Sequence, residues 1–274
     1  MESVRMNKVE LHIDSKRGTK IPVTIVEPDS FPARLLICAH GFKAKRTEDG
    51  RFLTVAEAMA EKGVLSVMMG FPGCDESKED FINYTLQNCM DDIDSSYDYV
   101  KENYELDLKN VGMIGYSMGG RLTCLYIQKH PEIGCIGLWT AASADGAGDK
   151  EFLGIPLDQM KKEMNEKGYC DFHNLFDDTY IRLNKKLIED MEGLSPEKGL
   201  SEFAGAAIIV HGDEDVTVPI STSENAYERL ENAKKKRFLK ITGADHGFGA
   251  WNARPDLSKQ LTDNTIAFFE ENLL

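Results

Sequence analysis

The chain has 274 residues, 42% hydrophobic and 28% charged, which is the balance of a globular protein and argues against a disordered or membrane-embedded one. Its 46 acidic and 32 basic side chains give a formal charge of −14. This charge repels phosphate backbones and anionic membranes, so nucleic acid is not expected as a partner.

Apolar strand-like segments then alternate with helical segments along the chain. Strands at 8–13 and 21–28 are too close for a crossover helix, so we expect them to pair antiparallel at one edge of a sheet. We predict the remaining strands at 34–41, 64–71, 110–117, 135–142, 206–213 and 237–244, and the helices at 47–62, 88–103, 118–130, 222–232 and 256–272. This alternation predicts an α/β fold with a mostly parallel central sheet of about eight strands and helices on both faces.

Residues 144–203 interrupt this alternation. The segment is polar, acidic and rich in turn residues, from Gly146 and Gly148 to Ser195 and Pro196. A segment of about 60 residues could barely sustain a hydrophobic core of its own. We therefore predict an inserted lid at 144–203 within a core domain formed by residues 1–143 and 204–274.

The cysteines and the N-terminal segment indicate a reducing compartment. No apolar run follows the first basic residues, as a secretory signal would require, and no run approaches the ~20 apolar residues that span a bilayer. Six cysteines without CxxC spacing are expected to be buried small hydrophobic residues, and they are Cys38, Cys74, Cys89, Cys124, Cys135 and Cys170. These features predict a cytoplasmic protein without a membrane span.

A candidate nucleophile lies in Gly115-Tyr116-Ser117-Met118-Gly119, a GxSxG pentapeptide with a strand before it and a helix after it. In such a sharp strand-to-helix turn, side chains at the two glycines would collide with the neighbouring strand and helix. The turn would hold Ser117 in a strained conformation with its hydroxyl exposed above the sheet. The alternative is an ordinary serine in a glycine-rich turn.

A serine hydroxyl needs a base to remove its proton. The candidates are His12, His40, His130, His173, His211 and His246. His246 is favoured because Gly243-Ala244-Asp245-His246-Gly247 follows the last apolar strand. When the nucleophile is a serine at a strand-to-helix turn, its base is expected at the end of a later strand. The acid that orients the base should lie between Ser117 and His246 in the chain. Asp213, Glu214 and Asp215 all follow the strand at 206–213, and spacing alone does not choose among them.

An acyl-transfer site also needs donors for the oxyanion. The backbone N–H of Met118, directly after the nucleophile, is one candidate. The backbone N–H of Phe42 is the second, since His40-Gly41-Phe42 ends the third strand and the glycine permits close approach to a substrate. His40 itself is expected to hold this loop and not to take part in the chemistry.

These segments resemble the serine-dependent α/β-hydrolases over nearly the whole chain. The matching motifs are HGF at 40–42, GYSMGG at 115–120, HGDEDVTVP at 211–219 and GADHGF at 243–248. The likeness is to small bacterial cinnamoyl (feruloyl) esterases, and these are similar to monoacylglycerol lipases and to the catalytic domains of serine peptidases. The resemblance implies the α/β-hydrolase fold and selects Asp215 as the acid of a Ser117–Asp215–His246 triad. Where such esterases have a G-H-G-D/E-S-type turn, this chain has GFPGCDES at 70–77.

The predicted function is a serine carboxylic ester hydrolase that acts through an acyl-enzyme on hydroxycinnamoyl or other small acyl esters. The same triad also serves peptidases, amidases, thioesterases and acyltransferases, and the fold also occurs in non-catalytic binding modules. Neither a metal nor an organic cofactor is required. The expected partner is a small-molecule ester, with a homodimer left open. Four side chains are candidates for lining an acyl pocket, and they are Asp145, Tyr169, Phe172 and Trp251.

Overall fold

The computed structural model of the protein describes residues 7–148, 150–174 and 178–274. Residues 1–6 lie outside these ranges, as do residues 149 and 175–177 of the predicted lid. Within the described ranges, every helix is too short or too polar to cross a bilayer. All six cysteines are buried and carry free thiols.

The described residues form twelve strands and eight α-helices, together with a 3-10 turn at Phe81–Asn83. The strands are β1 (Asn7–Asp14), β2 (Lys20–Glu27), β3 (Arg34–Ala39), β4 (Val64–Met69), β5 (Val111–Tyr116), β6 (Ile133–Trp139), β7 (Glu151–Phe152), β8 (Ile155–Pro156), β9 (Tyr169–Asn174), β10 (Thr179–Asn184), β11 (Ala206–Gly212) and β12 (Lys235–Ile241). The helices are α1 (Arg51–Ala60), α2 (Leu86–Asn103), α3 (Met118–Tyr126), α4 (Leu157–Lys167), α5 (Lys185–Gly193), α6 (Pro196–Glu202), α7 (Ile220–Arg229) and α8 (Pro255–Asn272).

Eight of the strands form one sheet in the order β1-β2-β4-β3-β5-β6-β11-β12. β2 runs antiparallel to both β1 and β4, whereas the other neighbours are parallel. The predicted mostly parallel sheet with an antiparallel edge is therefore confirmed. Its inner strands β4, β5 and β11 consist entirely of buried residues, as strands covered on both faces must.

Helices cover both faces of this sheet. On one face, α1 and α8 bury apolar side chains such as Phe52 and Phe268 against the strands. On the other face, α2 and α3 do the same with side chains such as Ile93 and Leu122. The parallel strands between these layers all end at one edge, so the loops that follow them meet there.

The inserted segment packs on the α2–α3 face. It contains the β7–β8 and β9–β10 hairpins and the helices α4, α5 and α6. Met160, Met164, Leu187 and Leu200 are buried in it and belong to the same hydrophobic cluster as the α2 and α3 side chains. These residues therefore extend the core on this face of the sheet, next to the edge where the strand-end loops meet.

Candidate active site

Ser117 lies between the end of β5 and the start of α3, in a sharply turned backbone. Its φ of 52° and ψ of −114° are sparsely populated by residues with a side chain. The turn requires glycine two residues later, because a Cβ on Gly119 would lie 1.9 Å from the Ala39 carbonyl oxygen at the end of β3. The Ser117 N–H donates to the Trp139 carbonyl at 2.9 Å, which fixes the turn to β6.

His246 meets Ser117 from the loop that follows β12. Its Nε2 lies 3.0 Å from Ser117 Oγ, and the residue is almost completely buried. The Tyr116 hydroxyl donates to the His246 carbonyl oxygen at 2.9 Å and so ties this loop to the end of β5. His130 and His173, two other candidates for the base, are instead paired with carboxylates elsewhere.

Asp215 is the carboxylate that reaches His246, with Oδ2 2.7 Å from the imidazole Nδ1. Its other oxygen, Oδ1, accepts the backbone N–H groups of Thr217 and Val218 at 2.8 and 2.9 Å. Asp213 is exposed and accepts the Gly243 N–H at 2.6 Å. Of these two aspartates, the structure therefore places Asp215, which the family resemblance selected, beside the imidazole.

Two further buried side chains contact Asp215: Thr140, which the sequence analysis did not name, and His211, which it considered only as a candidate base. The Thr140 hydroxyl donates to Oδ2, and His211 Nε2 lies 3.3 Å from the same oxygen. Burial opposes ionisation of the carboxyl, but hydrogen bonds with His211, His246 and Thr140 outweigh it and hold the pKa of Asp215 well below its usual range. The carboxylate facing His246 is thus charged throughout the neutral range.

The positions of Thr140 and His211 in the chain could have indicated that both lie near the acid. Thr140 follows β6 and His211 lies at the end of β11, so each stands at the strand edge where Ser117 lies. His211 is itself held by the Ser223 hydroxyl, 2.7 Å from Nδ1, and by the Val218 carbonyl, 2.9 Å from Nε2. Through these contacts His211 holds the loop that carries Asp215.

The loop after β3 passes directly beside the nucleophile. A Cβ on Gly41 would lie 3.4 Å from Ser117 Cβ and 2.8 Å from the Tyr116 ring, so the close approach needs glycine. In the part of the chain that the structure describes, neither the Phe42 N–H nor the Met118 N–H has a hydrogen-bond acceptor in the protein. Both predicted oxyanion donors are therefore available to a ligand.

His40 orients the peptide that carries the Phe42 N–H. Its Nδ1 lies 2.8 Å from the Gly41 carbonyl oxygen, and its Nε2 accepts the Phe71 N–H at 3.0 Å. The ring is therefore neutral with its proton on Nδ1. Because the Gly41 C=O and the Phe42 N–H point in opposite directions across one planar peptide, holding the carbonyl aims the N–H. This geometry fits the holding role expected for His40.

His40 should also make stability depend on pH. Burial lowers the pKa of His40 to about 4, below the ~6.5 of an unfolded-chain imidazole. Between these values the unfolded chain binds a proton that the folded protein does not, so the free energy of unfolding falls as the pH drops, by about 3 kcal/mol in total. We expect His40→Gln to be less stable at neutral pH, with a flatter pH dependence between about 4 and 6.5. Urea unfolding of both proteins over this range tests it, and parallel stability curves would contradict it.

Aromatic side chains surround the candidate oxyanion loop. The Phe42 ring makes edge contacts with Phe81 and Tyr84, with ring centroids 5.1 and 5.3 Å apart, and with Phe152 of the insert at 6.2 Å. Trp251 lies beside His246 with ring centroids 5.8 Å apart and is 55% exposed.

The other acyl-pocket candidates have structural contacts. Asp145 accepts hydrogen bonds from the Ser195 hydroxyl and the Glu197 N–H at the start of α6. The Tyr169 ring lies against the Arg182 guanidinium, 4.8 Å from its centroid. Phe172 is partly buried against the core.

Comparison with known proteins gives a family match over most of the chain. The model of the prolyl oligopeptidase family matches residues 51–273. A protein of Acanthamoeba polyphaga mimivirus that carries the name of an α/β hydrolase is 26% identical over 118 residues. That stretch is 42% of this chain and 43% of the viral protein, so the match spans less than half of the relative's length.

Similar solved structures include esterases and a peptidase. Est1E from Butyrivibrio proteoclasticus, solved with ferulic acid bound, is 21% identical with a TM-score of 0.76, covering 95% of this chain and 99% of its own. The esterase domain of a Rhodothermus marinus protein is 16% identical with a TM-score of 0.68, covering 98% and 100%. The Pyrococcus horikoshii acylaminoacyl peptidase is 16% identical with a TM-score of 0.68, covering 98% of this chain and 42% of its own.

At these identities the structures establish the fold, which is the α/β-hydrolase fold that the sequence predicted. The family model spans far more than half of the chain and includes the segments that carry Ser117, Asp215 and His246. The chain belongs to the prolyl oligopeptidase family and is an α/β-hydrolase.

Proposed function

We propose that this protein is a serine carboxylic ester hydrolase that works through an acyl-enzyme. The observation that carries the proposal is the continuous contact from Ser117 Oγ to His246 Nε2 at 3.0 Å and from His246 Nδ1 to Asp215 Oδ2 at 2.7 Å. His246 takes the serine proton as Ser117 attacks the ester carbonyl, and Asp215 stabilises the imidazolium that forms. The same imidazole gives its proton to the departing alcohol and later activates the water that releases the acid.

The oxyanion of each tetrahedral intermediate is assigned to the Phe42 and Met118 N–H groups. The close approach of Gly41 to Ser117 supports this assignment, as does the orientation that His40 imposes on the Phe42 peptide. Removing one such donor from an enzyme typically costs about 3–4 kcal/mol of transition-state stabilisation.

The proposed substrates are small acyl esters, including hydroxycinnamoyl esters. The aromatic side chains around Phe42 support an apolar acyl group, and Phe152 brings the insert into that cluster. We propose that residues 144–203 form one wall of the acyl pocket and restrict the acyl groups that fit. The ferulic acid bound to Est1E is consistent with such a substrate.

Peptide or amide hydrolysis is the second candidate. The prolyl oligopeptidase family match and the similarity to an acylaminoacyl peptidase favour it. Both reactions use the same triad, but an amide requires protonation of a far poorer leaving group.

A substrate panel separates these candidates. We expect kcat/KM for methyl ferulate or a short p-nitrophenyl ester to exceed that for a monoacylglycerol and an aminoacyl-p-nitroanilide. An anilide preference would replace the esterase assignment with a peptidase assignment. Labelling by a fluorophosphonate probe, mapped to its residue by mass spectrometry, accompanies the panel. A folded protein that neither turns over any substrate nor labels at Ser117 would instead be a binding module.

A further inference from the structure

A buried ion pair lies behind the candidate site and takes no direct part in the proposed chemistry. Glu48 is 2% exposed and Arg51 is 6% exposed. Arg51 Nη2 donates to Glu48 Oε2 at 3.1 Å, and Arg51 Nε donates to the Glu48 carbonyl oxygen at 3.0 Å. The two residues stand three apart, at the turn that leads into α1.

Each partner uses its remaining polar atom on a different loop of the site. Glu48 Oε1 accepts the Gly41 N–H at 2.6 Å, in the loop that presents the Phe42 N–H. Arg51 Nη1 donates to the Gly247 carbonyl oxygen at 2.8 Å, directly after His246. The ion pair therefore joins the oxyanion loop to the loop of the base through four consecutive hydrogen-bonding groups.

The Tyr116 side chain completes this connection. The Arg51 guanidinium lies 4.9 Å from the centroid of its ring, while its hydroxyl donates to the His246 carbonyl at 2.9 Å. Gly41 packs against the other part of the ring, since a Cβ there would lie 2.8 Å from Tyr116 Cδ1. Both loops are thus fixed relative to the residue that precedes Ser117.

Burying the charges of Glu48 and Arg51 costs free energy, so the pair is a poor source of stability by itself. Burial raises the pKa of Glu48 to about 7 even though Arg51 and the Gly41 N–H lower it, and the backbone of Glu48 has a φ of 48°. A buried ion pair is commonly no better for stability than apolar side chains of the same volume. What distinguishes this pair is where its two ends are attached.

We propose that Glu48 and Arg51 are positioning residues that hold the Phe42 N–H and the His246 imidazole at a fixed separation around Ser117. The inference rests on the proposed function, because it assigns the pair a role in that reaction. Release of either end lets one loop shift, and a displacement of about 1 Å at such a site can cost roughly 10²-fold in rate. The loss should fall on kcat, since neither side chain is placed to touch the substrate.

The test uses the full chain with Glu48→Gln, Arg51→Ala and Arg51→Lys. We expect Glu48→Gln and Arg51→Ala to lower kcat on the best ester by about 10- to 100-fold with little change in KM. The rate of Ser117 labelling by a fluorophosphonate should fall in parallel. Arg51→Lys, which keeps the charge but lacks a guanidinium to reach Glu48 and Gly247 together, should recover part of the loss. All rates are measured well below the Tm of each variant.

Asp92→Asn is the matched control for a buried carboxylate whose role is structural. Asp92 is 1% exposed and accepts hydrogen bonds from Arg17 and Ser15, both at 2.8 Å, where the β1–β2 turn meets α2. It should lower Tm and leave kcat and the labelling rate unchanged. If the Glu48 and Arg51 variants lower Tm with wild-type rates, or if Asp92→Asn lowers kcat as much as they do, the positioning role is wrong. Wild-type protein that does not label at Ser117 would instead overturn the proposed function itself.

Discussion

Ser117→Ala should lower kcat on any ester that the protein hydrolyses by about 10⁶-fold and leave the fold intact. In a serine protease, loss of the nucleophile alone costs a factor of this order, because the remaining groups can no longer form the acyl-enzyme. The Ser117 hydroxyl is the group 3.0 Å from His246 Nε2, whereas the turn itself is held by the Ser117 N–H and its neighbouring glycines. Alanine keeps those backbone contacts. Steady-state turnover, Tm and fluorophosphonate labelling of the variant are the measurements.

Ser143→Ala is the matched control for this prediction. Ser143 is 2% exposed and follows β6 near the site, and its hydroxyl has no hydrogen-bond partner within the described residues. Its replacement should leave turnover and labelling close to those of the wild type. If Ser117→Ala kept more than a few per cent of activity, or if the probe labelled another serine, the assignment of the nucleophile would be wrong.

Much of the sheet was predictable from sequence because its inner strands β4, β5 and β11 are buried on both faces and give nearly continuous apolar runs. The residues at which the strands end were not predictable from the sequence. We predicted strands to 117 and 142, but β5 ends at Tyr116 and β6 at Trp139. Apolar composition continues past the point where pairing stops, and the backbone turns at Ser117 and Thr140, with φ values of 52° and 41°. The residues beyond the last pair are those that carry the chemistry.

The site was predictable only in part, for a similar reason. A nucleophile or base that follows a strand leaves a local motif, as Ser117 and His246 do. The choice among Asp213, Glu214 and Asp215 depends on which carboxylate the loop turns toward the imidazole, and the three-residue window does not contain that information. The contact between Arg51 and Gly247 joins positions 196 residues apart, so no spacing in the sequence reveals it.

Asp215→Asn should lower kcat by about 10⁴-fold, as in the corresponding protease variant. The Thr217 and Val218 N–H groups both donate to Oδ1, so the asparagine would place its carbonyl oxygen there and its NH₂ group at the position of Oδ2. That NH₂ group would face His246 Nδ1 and force it to act as an acceptor. The proton then resides on Nε2, where the imidazole can no longer take the proton of Ser117. The substitution thus selects the wrong tautomer and keeps the geometry.

The matched control is Asp213→Asn, which lies two residues away and retains an oxygen to accept the Gly243 N–H. It should change kcat by less than about threefold, in contrast to Asp215→Asn, and a reversal of the two effects would transfer the role of the acid to Asp213.

The stability of Asp215→Asn gives a second readout. Because the folded-state pKa of Asp215 lies below that of an unfolded aspartate, its carboxylate stabilises the fold above about pH 4, and this contribution is lost as the pH falls further. Asp215→Asn should therefore be less stable than the wild type at pH 7, by a margin that shrinks in acid. Chemical unfolding at pH 7 and in acid measures this loss of stability. It separates the loss of stability from the loss of catalysis, since turnover per folded molecule must still be about 10⁴-fold lower at pH 7.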